Sequence, residues 1–248
     1  MGVGVEYETE VRSVRAFIQR VACEVANRGY VYYVAAQVPE GMDPKEVEGK
    51  LEARYGYRLS KHQRARRKRE GRASLHLVRH GRFFVMLATS GEHEWFEGEE
   101  WPREVRLKRG SRIKCLRHEP LRYLGYQVAV RRSARDGREH VSVRIQREEF
   151  EGLRAYFLEL APRRNLENLR WELSNLPFEP YSGVKRQYAR IVREMNVLRK
   201  SQGLEPALLS WLPARRKTVK TFEDLGPFVS QAAAGAREEK RFSTQEGR

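Results

Sequence analysis

Nine consecutive residues carry the densest chemistry in this sequence. Lys61-His62-Gln63-Arg64-Ala65-Arg66-Arg67-Lys68-Arg69 sets six fixed positive charges in one short run. An arginine guanidinium is a planar fork of donors that matches two phosphate oxygens, and a lysine adds a point charge. The wider arm, residues 58–72, holds eight bases and one acid. Residues 101–147 hold fourteen bases and four acids, whereas residues 1–57 hold seven and nine. A generic surface bias would enrich residues 1–57 as well. Charge concentrated in this way attracts polyanions and releases their counterions. The expected partner is nucleic acid, with DNA and RNA not distinguished.

The candidate contacts fall into four groups. Lys61, Arg64, Arg66, Arg67, Lys68 and Arg69 form the arm. Arg79 and Arg82 flank a first hairpin turn, and Arg131, Arg132 and Arg144 lie on a second hairpin, with Arg112 and Lys114 close in sequence. Lys185, Arg186, Arg190, Arg193, Arg199 and Lys200 mark the polar face of a late helix. Phe83, Phe84, Tyr123 and Tyr126 are interleaved with the strand cations. Bases stack on exposed rings for about 1–3 kcal/mol each. Alternation sends Phe83 and Phe84 to opposite faces and puts Tyr126 with the core.

The histidines open a second, enzymatic reading. His76 and His80 sit at even spacing on one expected strand, so they share a face. His93 follows among Glu92 and Glu94, and Tyr188 lies on the basic helix. Two strand histidines, a third ligand and a helical tyrosine are the parts of a metal-dependent endonuclease with a covalent phosphotyrosine step. Rolling-circle replication initiators of the HUH type carry such a set with a His-hydrophobic-His triplet. Here the run is His76-Leu77-Val78-Arg79-His80. That spacing separates the two Cβ atoms by about 13 Å along a strand, too far for one metal ion unless the strand bends. Tyr188 also fits an apolar helical stripe. A non-catalytic binding protein is therefore the leading expectation.

Several other classes lack their signatures. There is no Walker A loop, Gly-x-Gly-x-x-Gly, Gly-x-Ser-x-Gly or His-Glu-x-x-His, and no cofactor is expected. Three Asp in the whole chain argue against a two-metal carboxylate site. Cys23 and Cys115 make neither a zinc motif nor a disulfide framework, which suits a reducing cytoplasm. No apolar run is long enough for a membrane span, and no membrane partner is expected.

These side chains need a scaffold. Val11, Val14, Ile18, Val21 and Val25 recur at helical spacing over residues 7–28. Residues 30–38 read as a buried strand. Asp43, Pro44 and Glu46 read as the start of a short helix that Gly56 closes. Residues 75–80 and 82–89 form a hairpin about His80-Gly81, and residues 126–131 and 140–145 form another about Asp136-Gly137. Short strands are expected at 104–108 and 112–116. Both hairpins alternate apolar with Arg, His or Gln, the pattern of a sheet covered on one side. Three helices follow, at 150–160, 166–176 and 182–200.

The fold class is therefore α+β, with a mainly antiparallel sheet and helices on one face. An RRM-like or ferredoxin-like order is compatible. The expected units are an α+β domain over 1–160, a helical extension over 161–213 and a disordered tail over 214–248. The acidic aromatic loop 92–100 is a candidate for docking a protein, and an acidic protein partner for the arginines is the third functional reading. A role in replication, a mobile element or a ribonucleoprotein fits the leading one.

Overall fold

The structure is a computed structural model and describes residues 7–97, 113–134, 136–163 and 165–219. Helix α1 starts at Val14 because the Ser13 hydroxyl accepts the Ala16 N–H at 3.1 Å. It runs Val14–Gln19, widens to a π-helical stretch Arg20–Val25, tightens at Ala26–Arg28 and ends on left-handed Gly29. The expected helix over 7–28 is shorter at its start. Residues 9–11 are extended instead, because Thr9 O and Val11 N bond Arg79 on the edge of a strand at 2.8 Å each.

Among the described residues the first sheet has four antiparallel strands, β1 (Tyr32–Gln37), β2 (Leu75–His80), β3 (Phe83–Ala88) and β4 (Lys114–Cys115). Its spatial order is β2-β3-β1-β4. Read from the other edge, that is the order of a ferredoxin-like sheet. The hairpin turn falls on Gly81-Arg82, one residue later than expected, since His80 pairs with Phe83. Gly81 takes φ +59, which other residues rarely adopt.

Two helices sit between β1 and β2. In α2 (Pro44–Tyr55), Asp43 caps Lys45 N at 3.0 Å and Gly56 ends the helix at φ +57, as the sequence indicated. The basic run forms a helix of its own, α3 (Lys61–Arg69). Its Ser60 and Gln63 cap each other's backbone in a capping box. α3 contributes no fully buried residue.

The second sheet, β5 (Leu121–Tyr123), β6 (Tyr126–Arg132) and β7 (Glu139–Ile145), is antiparallel in that order. Leu116 ties the sheets together. Its N–H donates to Val31 O at 2.8 Å and its carbonyl accepts from Val130 N at 2.9 Å. The α+β class with mainly antiparallel sheet is thus realised as two joined sheets.

Helices on one face is the feature that changes. One face of the first sheet packs Tyr33, Val78, Val85 and Leu87 with α1 and with Val128 and Val143 of the second sheet. The other face packs Val34, Leu75, Leu77, Phe84 and Met86 with Val47 and Leu51 of α2. The first sheet is a filled sandwich. The sequence pattern suggested one open side because His76 and Arg79 are polar by type, yet both are buried. The face that an RRM leaves open is closed here by α1.

The C-terminal helices, α4 (Arg147–Leu160), α5 (Leu166–Ser174) and α6 (Ser182–Ser201), share a third core with Ile145. Gln187 of α6 grips the outer edge of β7. It accepts Ile145 N at 2.8 Å and donates to Ile145 O at 3.1 Å, as a neighbouring strand would. Gly183 lets α6 approach, since a Cβ there would stand 2.4 Å from Val143 O. Residues 214–219 are not a free tail. Val219 exchanges two hydrogen bonds with the buried Gln19 side chain, and Lys217 N donates to Glu179 at 2.9 Å. Residues 220–248, and the strand expected at 104–108, lie outside the described residues.

Candidate nucleic-acid interface

α3 inverts the usual helical logic. An ordinary surface helix turns apolar residues inward, but α3 turns arginines inward. Arg64 lies over the Tyr7 ring, 5.5 Å from its centroid. Arg67 donates to Ala73 O at 3.3 Å. Arg66 pairs with Glu70 at 2.7 Å. Lys61, Lys68 and Arg69 point to solvent with no ion pair among the described residues. The arm is therefore a preformed cationic rod rather than a loop.

Around the inward face of α3 lies a second group of cations. Arg20 and Arg28 of α1, with Arg64, are close enough to His76 to disfavour its protonation, after the larger effect of burial. Together they hold the His76 pKa well below the ordinary 6.5. His76 is 5% exposed. Its Nδ1 meets the Tyr7 hydroxyl at 2.5 Å, and its ring stands edge-on to Tyr7 and Tyr30.

The second sheet keeps the one-sided pattern. Tyr126, Val128, Val130 and Val143 face the core. The opposite face sets Arg122, Gln127 and Arg144 in one row across three strands, with Arg131 beside His140. These four charged or ionisable side chains are exposed and make no ion pair among the described residues. Arg122 and His140 are added by the structure. The signal was the alternation of the hairpin, which puts every second residue on that face. On α6, Arg186 and Arg193 are exposed and without an ion pair among the described residues.

Other expected contacts are used inside the protein. Arg79 is 4% exposed and bonds Glu48 and Glu10, linking α2 and the N-terminal segment to β2. Arg82 donates to Val38 O and Met42 O at 3.0 Å each, fixing the turn before α2. Lys114 pairs with Glu119, and Arg132 holds its own turn through Gly137 O at 2.8 Å. Lys185 bonds Ala214 O, and Arg190 pairs with Glu194 and covers Phe150. Arg199 is not on the polar face of α6. It is buried and donates to Glu205 O, Ala161 O and Arg163 O, closing the end of α4. Arg112 lies outside the described residues.

The rings follow suit. Phe84 is core, and Phe83 stacks on Tyr123 at 4.3 Å, so neither is a stacking platform for bases. In the acidic loop, Trp95 is 1% exposed in the α2 core and Phe96 stands edge-on to Tyr32. The aromatics expected to dock a protein are spent on the fold, and residues 98–100 lie outside the description.

The histidines do not meet. His80 Nδ1 bonds the Tyr123 hydroxyl at 2.7 Å, and His93 Nδ1 caps Trp95 N at 3.0 Å. Among the described residues, no three His, Cys, Asp or Glu side chains are placed to hold a metal ion. Tyr188 is 1% exposed, and its hydroxyl both donates to Phe178 O and accepts Phe178 N at 3.0 Å. Burial raises its pKa, the opposite of what a nucleophile needs. Its role is to lock the loop before α6.

No described helix is long and apolar enough to cross a membrane. Comparison with protein families, with curated proteins and with solved structures gives no match.

Proposed function

We propose that this chain is a non-catalytic nucleic-acid-binding protein that grips phosphates through α3, with the outer face of β5–β7 as a second contact. The observation that carries the reading is α3 itself. It is a capped helix with six bases, one arginine ion-paired among the described residues and no apolar anchor. A helix of nine residues is marginal alone. Holding this one folded costs like-charge repulsion that a polyanion would relieve. The exposed row of Arg122, Gln127 and Arg144, with Arg131 and His140, supports a second contact of the same kind.

Phosphate contacts of this sort give affinity without reading bases. Binding to single-stranded RNA, single-stranded DNA and duplex DNA, measured by anisotropy at two salt concentrations, tests the reading. Salt-sensitive binding supports it. Absence of binding to all three at low salt contradicts it and favours an acidic protein partner.

A further inference from the structure

Where α3, α1 and β2 come together, three buried side-chain nitrogens have no hydrogen-bond partner among the described residues. The Tyr7 hydroxyl has one hydrogen-bond partner among the described residues, His76 Nδ1. Burial raises the Tyr7 pKa, so the hydroxyl keeps its proton, and Nδ1 is the one described partner on which that proton can be satisfied. The ring proton of the neutral imidazole then sits on Nε2. That Nε2 is buried and has no partner among the described residues. Nε and one Nη of Arg64 are likewise buried and unpartnered. Buried donors without acceptors are uncommon, because each loses its hydration and regains nothing. Arg28 and the Glu24-paired Arg20 add positive potential at the same place.

We propose that His76 Nε2–H and the Arg64 guanidinium, backed by Arg20 and Arg28, form a subsite for a terminal phosphate of a nucleic-acid strand. A phosphate oxyanion supplies the acceptors that these donors lack. A terminal phosphomonoester suits the site better than an internal phosphodiester for two reasons. It carries the larger charge, and it is attached on one side only, so it can reach a donor that lies below the surface. The neutral imidazole donates one hydrogen bond and the guanidinium two. This inference rests on the nucleic-acid reading and specifies which part of the strand is gripped most tightly.

The test uses one single-stranded sequence in three forms, with a 5′-phosphate, with a 3′-phosphate and with hydroxyl groups at both ends. Affinity for the full chain is measured by anisotropy for the unaltered protein, Arg64→Gln and His76→Gln. Arg64 is on a surface helix, so R64Q keeps the test valid even if H76Q fails to fold. One phosphorylated form is expected to bind about ten-fold tighter than the hydroxyl form, the effect of one charge-assisted bond. R64Q is expected to abolish that ratio; because Arg64 also belongs to the phosphate-gripping helix, the readout is the ratio within each variant and not the absolute affinity. Equal affinity of the three forms overturns the subsite and leaves the nucleic-acid reading standing. A ratio that survives in R64Q also overturns it, because the end is then held elsewhere. Failure of every form to bind at low salt overturns the nucleic-acid reading itself, and with it the assignment of the phosphate to a strand end.

Discussion

His76 shows how burial, rather than motif, decides what a residue does. On the sequence it stands beside His80 as half of a metal pair. In the fold it is a neutral imidazole fixed by Tyr7 and surrounded by cations. Its lowered pKa has a thermodynamic consequence. In the unfolded chain the ring takes up a proton as pH falls through 6.5, while in the folded chain it stays neutral. The unfolded state then binds more protons, so stability falls below pH 6.5, by at most about 1.4 kcal/mol per pH unit for one group. His80 and His93 shift in the same direction. Denaturant midpoints measured from pH 7.5 downward are expected to decline below 6.5, and more gently in His76→Gln. A midpoint that rises on acidification would contradict the assignment. Tyr188 offers a companion test. Tyr188→Phe leaves Phe178 N and O without their partner and is expected to cost about 1–3 kcal/mol of stability. Nucleic-acid affinity in the same variant should be unchanged. Loss of a cleavage activity in Y188F would revive the enzymatic reading.

At the scale of elements, the sequence was most informative where one local rule acted alone. Asp43-Pro44 at the start of α2, Gly56 at its end and the alternation of β6 and β7 all follow from spacing and capping. α3 was legible as charge but not as a separate helix, because its capping box spans only Ser60 and Gln63 and its inward face carries no apolar residue. The exposed part of α3 should be dispensable for folding. Lys68→Gln with Arg69→Gln is expected to leave stability within about 0.5 kcal/mol. The same change should lower the salt slope of single-strand binding by about 0.7 for each phosphate contact removed. An unchanged slope would move the contact away from α3. The docking of α6 makes the opposite kind of prediction. Gly183→Ala brings a methyl group to 2.4 Å from Val143 O, and backbone cannot yield cheaply. It is expected to destabilise the protein by about 1–3 kcal/mol through overpacking, read from denaturant midpoints. A neutral G183A would mean that α6 does not lie on β7 as described.

On the scale of the whole molecule, the sequence conveyed class but not layering. It yielded α+β with antiparallel pairing, and the structure has that. It missed that the first sheet is covered on both faces, since periodicity cannot tell a polar residue facing water from one facing a buried partner. Arg79 with Glu48 and Glu10 is the clearest example, because its partners are 31 and 69 residues away in sequence. The bonding of residues 214–219 to the fold was out of reach for the same reason. Val219 returns to Gln19 across the molecule, a contact that no local pattern encodes. What survives of the expected interface is α3 and the open face of the second sheet, with most of the remaining expected cations committed to the fold. The measurement that tests this account most directly is the salt dependence of binding to a labelled single strand. The account predicts a straight, falling plot of log affinity against log salt, with a slope that flattens when Lys68 and Arg69, or Arg131 and Arg144, are changed to Gln. Affinity that is absent at low salt, or that ignores salt and these four residues, would contradict it.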